Sequence, residues 1–198
     1  MPKRTFEFRR HSIKDGPRGA AIGPRGYALA RLIGCQELRG RGFDGFFVSN
    51  YWRTVQTMAA FAEGAEDFEL KLQPEIAPIY LEWPELRGLW RACRQAELRG
   101  GDLLQAALRH DEALTRRAAK TVADRFKQWA CSLDDGKNFL VVGHSPYLEL
   151  IVLGLFGLEL PSLAECRGFR IVFDGQTFEL ETGAAGADPA GCRVKLFP

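Results

Sequence analysis

Phe139-Leu140-Val141-Val142-Gly143-His144-Ser145-Pro146 decides the fold. Four consecutive apolar residues are the mark of a strand covered on both faces, since a half-exposed strand would alternate. The run stops at Gly143-His144, and Ser145 as cap with Pro146 as first residue opens a helix. Upstream, Leu114, Ala118, Val122, Phe126 and Trp129 form one stripe of an amphipathic helix over residues 111–129, ending before Asp134-Asp135-Gly136. Helix, buried strand, helix is the repeating unit of an α/β domain.

Working outward, Thr5 to Arg10 alternates as a strand does and runs into His11 and a turn at Asp15-Gly16-Pro17. Gly23-Pro24 opens a helix whose face is marked by Leu29, Leu32, Ile33 and Gln36, and Gly40 stops it. Phe43 to Ser49 reads as a buried strand, and Ser49 or Asn50 is placed to cap a helix carrying Arg53 to Ala62. Between residues 64 and 101, Pro74, Pro78 and Pro84 punctuate a strand over 76–81 and a helix over 86–98. Near the end, Phe169, Ile171 and Phe173 alternate, Asp174-Gly175 turns the chain, and Phe178 and Leu180 return it, the pattern of a hairpin. A small-residue loop over 183–191 and a last strand within 193–197 follow. The expected architecture is a three-layer α/β/α sandwich with a mostly parallel sheet and an antiparallel C-terminal edge, one domain over residues 1–198.

Composition narrows the function classes. With 46% hydrophobic residues in 198, the chain can bury one good core and is short for two. A net charge of +2 without lysine tracts gives no reason to expect nucleic acid. The charge is uneven, however: residues 1–41 hold ten Lys/Arg against three Asp/Glu, which suits an anionic ligand if they converge. Five scattered cysteines (35, 93, 131, 166 and 192) without a CxxC or Cys/His cluster point to reduced thiols and no structural metal. The charged N-terminus lacks a signal-peptide core, and the longest apolar segment, 148–158, is too short for a bilayer and contains Glu149. A cytoplasmic protein without membrane partners is expected.

Open α/β sheets bind ligands beyond the C-terminal ends of their strands. Three such ends carry Arg10-His11, Ser49 to Arg53, and His144. A single strand-end histidine is most often an ordinary hydrogen-bonded side chain, but two of only three histidines sit there, each near arginine. Arg53 lies in the first turn of its helix, where the macrodipole disfavours a cation unless an anion is bound. His110, at the start of the long helix, reads as surface.

Phe8-Arg9-Arg10-His11-Ser12, the segment 22–30, Val48-Ser49-Asn50-Tyr51-Trp52-Arg53-Thr54-Val55-Gln56-Thr57 and Leu140-Val141-Val142-Gly143-His144 together resemble the histidine phosphatase, or phosphoglycerate-mutase-like, superfamily. The resemblance spans residues 5–156. It implies that His11 is a nucleophile attacking phosphorus, that Arg10 and Arg53 fork onto the phosphoryl oxygens, and that His144, when protonated, completes the pocket as a further donor. Histidine ordinarily titrates near ~6.5, and the two arginines would keep His11 neutral at pH 7. No metal, nucleotide or other cofactor is required. The partner would be a small phosphorylated molecule or a phosphohistidine protein.

The chain departs from the family pattern at Ser12, which stands where glycine is usual, and at Ile13, where an acidic residue is frequent. The first-loop asparagine of the mutases has no equivalent near Gly16-Pro17. Glu75 and Glu82 both lie where the family's proton donor is found, and residues 73–78 resemble the corresponding stretch of small bacterial phosphohistidine phosphatases. Residues 64–109 occupy the position of the family's substrate-recognition insertion. A metal-independent phosphatase is therefore expected, with a phosphomutase or a non-catalytic phosphate-binding scaffold as alternatives.

Overall fold

The computed structural model describes residues 2–16, 21–66, 75–182 and 193–195. Among them one seven-stranded sheet forms in the order β3-β2-β4-β1-β5-β6-β7. Its strands are β1 (Arg4–Arg10), β2 (Gly45–Val48), β3 (Glu75–Ile76), β4 (Asn138–Gly143), β5 (Gly168–Phe173), β6 (Thr177–Thr182) and β7 (Arg193–Lys195). The first four are mutually parallel, and β5, β6 and β7 continue the sheet antiparallel. The helices are α1 (Pro24–Ile33), α2 (Trp52–Ala65), α3 (Leu86–Leu98), α4 (Leu103–His110), α5 (Glu112–Ser132) and α6 (Tyr147–Phe156). A π-helical turn, Gly34–Leu38, extends α1.

The central strand β4 shows why there are three layers. Leu140 and Val142 project into one core with α1 and α2, while Phe139 and Val141 project into the other with the helices that follow β3. Successive strand side chains point to opposite faces, so a run of apolar residues demands cover on both. On the second face Phe6 and Phe8 meet Phe126 of α5 at ring distances of 5.0 and 5.4 Å. Asp111 caps α5 by accepting a hydrogen bond from the Leu114 N–H at 2.9 Å.

The alternating polar residues of β1 are buried too, contrary to the usual meaning of alternation. Glu7 and Arg9 face the α1/α2 layer, where Arg9 donates to Glu7 at 2.7 Å and to Glu37 at 2.7 Å, and Arg170 donates to Glu7 at 3.1 Å. Charges removed from water are tolerable only when paired in this way.

Four local expectations are corrected. Leu32 and Gln36 point outward, and α1 buries Gly26, Ala30 and Ile33 instead, followed by Gly34. A Cβ on Gly34 would lie 2.2 Å from the Phe61 carbonyl oxygen, so this helix pair crosses on small residues that hydrophobic periodicity undervalues. The strand expected over 76–81 is only Glu75–Ile76: the ladder closes with Ala77 N–H to Val48 O at 2.9 Å, and Pro78 follows without a donor, although Ile79 and Leu81 still pack in the core. α2 begins after Tyr51 without a side-chain cap, because Ser49 is engaged elsewhere. α6 begins at Tyr147, and the Ser145 hydroxyl donates to Glu149 at 2.6 Å rather than capping. The loop expected over 183–191 lies outside the described residues, as does Cys192, while the other four cysteines are unpaired thiols. No helix of the described residues is long and apolar enough to cross a membrane.

Candidate active site

Parallel pairing brings the two strand-end histidines together. β1 and β4 are in register with Arg10 opposite Gly143, and the His11 N–H continues the ladder by donating to Gly143 O at 2.9 Å. The next residue on each chain is a histidine at neighbouring strand ends, with ring centres 5.0 Å apart. On the other side of β4, β2 ends at Val48 opposite Val142, which sets Ser49 beside His144. Two residues separated by 133 positions in the chain thus meet because the crossovers order these strands β2-β4-β1.

Hydrogen bonds define each imidazole. His11 Nδ1 lies 2.7 Å from the Ser12 carbonyl oxygen, which can only accept, so Nδ1 carries the proton and Nε2 keeps its lone pair. Burial first, and then the positive charges of Arg53, Arg10 and Lys14, outweigh the Ser12 carbonyl and bring the His11 pKa down to about 3. His11 is neutral at pH 7. His144 Nδ1 lies 3.3 Å from an Arg53 guanidinium nitrogen, which can only donate, so the proton of His144 is on Nε2, donated to Ser49 Oγ at 2.6 Å. Thr54, whose hydroxyl donates to Tyr51 O at 2.7 Å, receives the Ser49 hydroxyl in turn at 3.0 Å. Burial, followed by His11 and the same cations, holds His144 well below its ordinary pKa. His144 is therefore neutral here, burial first and the neighbouring cations second disfavouring the protonated form in which it would act as a further donor.

The two arginines differ. Arg53 lies over the Tyr51 ring at 4.5 Å, pairs with no carboxylate among the described residues, and leaves its buried Nε without a partner among them. Arg10 is buried, donates to Leu163 O at 2.6 Å and to Glu97 Oε1 at 2.8 Å, and likewise has an unpartnered Nε. Lys14 Nζ donates to the other Glu97 oxygen at 2.9 Å. Burial would raise the Glu97 carboxyl, but Lys14 and Arg10 hold it below its ordinary pKa. A carboxylate thus sits where the basic residues of the N-terminal segment converge.

Ser12 does not intrude on this pocket. It is fully buried and turned toward α1, its hydroxyl donating to Gly26 O at 2.6 Å and its N–H to Thr57 Oγ1 at 3.0 Å. Gly26 allows the approach, since a Cβ there would lie 2.2 Å from the Ile13 carbonyl oxygen. The departure at residue 12 tightens the His11 loop onto α1.

A cavity of about 450 Å³ opens over the histidines, lined among others by His11, Lys14, Arg53, Arg94, Glu97 and His144. Of the two carboxyls expected nearby, Glu82 reaches the lining and is exposed, whereas Glu75 lies on the edge strand β3 outside it. His110 ends α4, exposed and outside the lining. Sequence reasoning missed Lys14, Ser49 as a histidine partner, and Glu97. Ser49 lies within a quoted strand-end segment and was legible there, Lys14 falls just past the Phe8–Ser12 segment, and nothing marks Glu97, which reaches Arg10 across 87 residues.

Two neutral histidines and the Arg53 guanidinium thus meet at the C-terminal ends of parallel strands, the edge at which open α/β sheets bind ligands. The model for the histidine phosphatase superfamily (branch 1) matches residues 7–182, and the chain belongs to that family. Solved structures agree on the fold. A phosphoglycerate mutase from Bacillus anthracis superposes with a TM-score of 0.63 at 18% identity, covering 92% of this chain and 93% of its own. A mycobacterial glucosyl-3-phosphoglycerate phosphatase solved with VO3 gives 0.58 at 13% identity, covering 94% and 100%. Phosphoserine phosphatase from Entamoeba histolytica, in complex with 3-phosphoglyceric acid, gives 0.50 at 18% identity, covering 85% and 89%. At these identities the likeness is one of fold, and it embraces both phosphatases and a mutase. No curated protein sequence matches the chain.

Proposed function

We propose that the protein is a phosphatase that transfers a phosphoryl group to His11 Nε2 and hydrolyses the resulting phosphohistidine with water. The observation that carries this reading is the state of His11: buried, neutral, fixed through Nδ1 to Ser12 O, with its lone pair on Nε2 in a cavity bordered by Arg53 and Lys14. A neutral amine-type nitrogen is a competent nucleophile toward phosphorus without a base to activate it. The Arg53 guanidinium, which pairs with no carboxylate among the described residues, is placed to take the phosphoryl oxygens, and its buried Nε gains a partner when it does. Arg10 and Lys14 become available as the incoming phosphoryl group competes with Glu97. A bound dianion also reverses the electrostatics at His144, favouring its protonated form beside the phosphoryl group.

The chain's missing first-loop asparagine supports a phosphatase over a mutase, and the substrate is a small phosphomonoester or a phosphohistidine. Residues 64–109 serve as the recognition segment, to which α3 contributes Trp90, Cys93, Arg94 and Glu97 of the cavity wall. Four unpaired thiols fit a reducing, cytoplasmic setting. The test is release of inorganic phosphate from p-nitrophenyl phosphate with chelator present, alongside acid quenching of a labelled substrate to trap acid-labile phosphohistidine. Activity that survives His11→Ala sinks the mechanism, and phosphate-stabilised melting without turnover of any substrate favours a binding protein instead.

A further inference from the structure

One acidic residue is sealed inside an otherwise apolar helix. Glu149 is fully buried in α6, where Leu148, Leu150, Ile151, Val152, Leu153 and Leu155 are buried beside it. It lies outside the lining of the cavity over the histidines. Burial pushes its carboxyl above the ordinary pKa, and the hydrogen bonds it accepts offset this only in part. Removing a carboxyl from water is unfavourable unless its oxygens are bonded, and Oε2 has no partner among the described residues. A leucine in its place would extend the apolar face of α6 without that penalty. What offsets the penalty is what Oε1 holds.

Oε1 accepts two hydrogen bonds. One comes from the Ser145 hydroxyl at 2.6 Å and sets the direction of the carboxyl. The other comes from the Leu163 N–H at 2.8 Å, in the segment between α6 and β5. The carbonyl of that same residue accepts from Arg10 Nη1 at 2.6 Å. Glu149 and Arg10 thus hold the backbone of Leu163 through its N–H and its C=O. Ser162 beside it is anchored as well: its N–H donates to Asp102 at 2.7 Å and its hydroxyl accepts from the Leu103 N–H at 2.6 Å, at the start of α4. Residues 162–163 therefore form a strap fixed to α4 by one residue and to Glu149 by the next, with the Leu163 carbonyl turned to Arg10.

Arg10 depends on such an anchor. Its Nη2 is bonded to Glu97 at 2.8 Å and lies 3.5 Å from Glu165, and its buried Nε has no partner among the described residues. When a phosphoryl group displaces Glu97, the Leu163 carbonyl is the short contact that still fixes the guanidinium. With Nη1 held there, the Nε–Nη2 edge is left to two oxygens of one phosphoryl group, the bidentate arrangement that a planar guanidinium favours. We propose that Glu149 is a positioning residue that aims Arg10 at the phosphoryl group through the backbone of Leu163. This rests on the reading of the site as one for phosphoryl transfer and adds to it a residue from outside the cavity.

The test is inorganic phosphate binding to the full chain by calorimetry, with turnover of p-nitrophenyl phosphate measured alongside. Glu149→Met removes the acceptor, keeps an unbranched side chain of similar length, and should weaken phosphate binding about tenfold, the scale of one hydrogen bond to a charged group. In an Arg10→Ala background the same substitution should weaken it by less than about twofold, since the residue it acts through is gone. Glu149→Gln keeps an oxygen for both donors and should restore binding to within about threefold of the wild type. Leu163→Pro deletes the same hydrogen bond from its donor end while keeping the carbonyl, should match the loss in Glu149→Met, and carries the test if the methionine variant does not fold. Unmoved phosphate affinity in Glu149→Met or Leu163→Pro, a tenfold loss in Glu149→Gln, or an equal loss with and without Arg10 overturns the inference alone. The expected pattern of binding without turnover of any substrate supports the positioning role and overturns the phosphatase reading, and a wild type that binds no phosphate overturns both.

Discussion

Keeping His11 neutral has a cost that appears as acid sensitivity. In the folded protein His11 titrates near 3, whereas in the unfolded chain it titrates near 6.5. Between those values the unfolded state binds more protons, so stability rises with pH through the window and is lost as pH falls from 6.5 toward 3. One such histidine removes about 3 kcal/mol between pH 7 and pH 4, a large share of the ~5–15 kcal/mol that holds an ordinary domain together. Substituting His11→Asn removes the titrating group while retaining a polar side chain of similar reach. Urea unfolding of both proteins at pH 7 and pH 4, followed by far-ultraviolet circular dichroism, gives the stability difference for each. The wild type should lose about 3 kcal/mol more than the variant over that interval. An equal loss in the two would show that His11 is not held neutral by burial and its cationic neighbours, and the argument for an unprotonated nucleophile would fall with it.

Three other outcomes follow from particular contacts. Glu97→Gln removes the anion that now occupies Arg10 and Lys14, so inorganic phosphate should bind about tenfold more tightly by calorimetry, a change of about 1.4 kcal/mol, while unliganded melting temperature falls. Ser49→Ala deprives the His144 Nε2–H of its acceptor, which at ~1–3 kcal/mol for a buried unsatisfied donor should lower kcat roughly 5- to 150-fold with His144 still in place. Gly26→Ala forces a methyl against the Ile13 carbonyl, and the ~1–3 kcal/mol of overpacking should appear in thermal melts together with weaker phosphate binding, since the His11 loop is pressed by the same contact.

Much of the site was legible because it lies at strand ends. Phe139 to Val142 could only be a central strand, and once β1 and β4 are parallel and adjacent, Arg10-His11 and His144 must share one edge of the sheet. The alternation of β5 and β6 around Asp174-Gly175 was equally plain. Misreadings arose where small residues or prolines decide. The α1 face depends on glycine and alanine, which carry little hydrophobic signal but allow backbones to approach, and the strand after β2 is cut short by a residue that cannot donate to a ladder.

The sequence by itself determined the layered α/β plan, the antiparallel hairpin at its edge, the two histidines and Arg53 as a group, and the family resemblance, because each rests on local periodicity or on short segments read in order. Only the tertiary structure decided the protonation of both histidines, the burial of Ser12 away from the pocket and the engagement of Arg10 by Glu97. These depend on distances between segments far apart in the chain and on the water each group has lost, and neither is written in the order of residues. His11 is the clearest case: its place at a strand end is local, but its reactive, neutral state comes from burial and from three cations assembled around it.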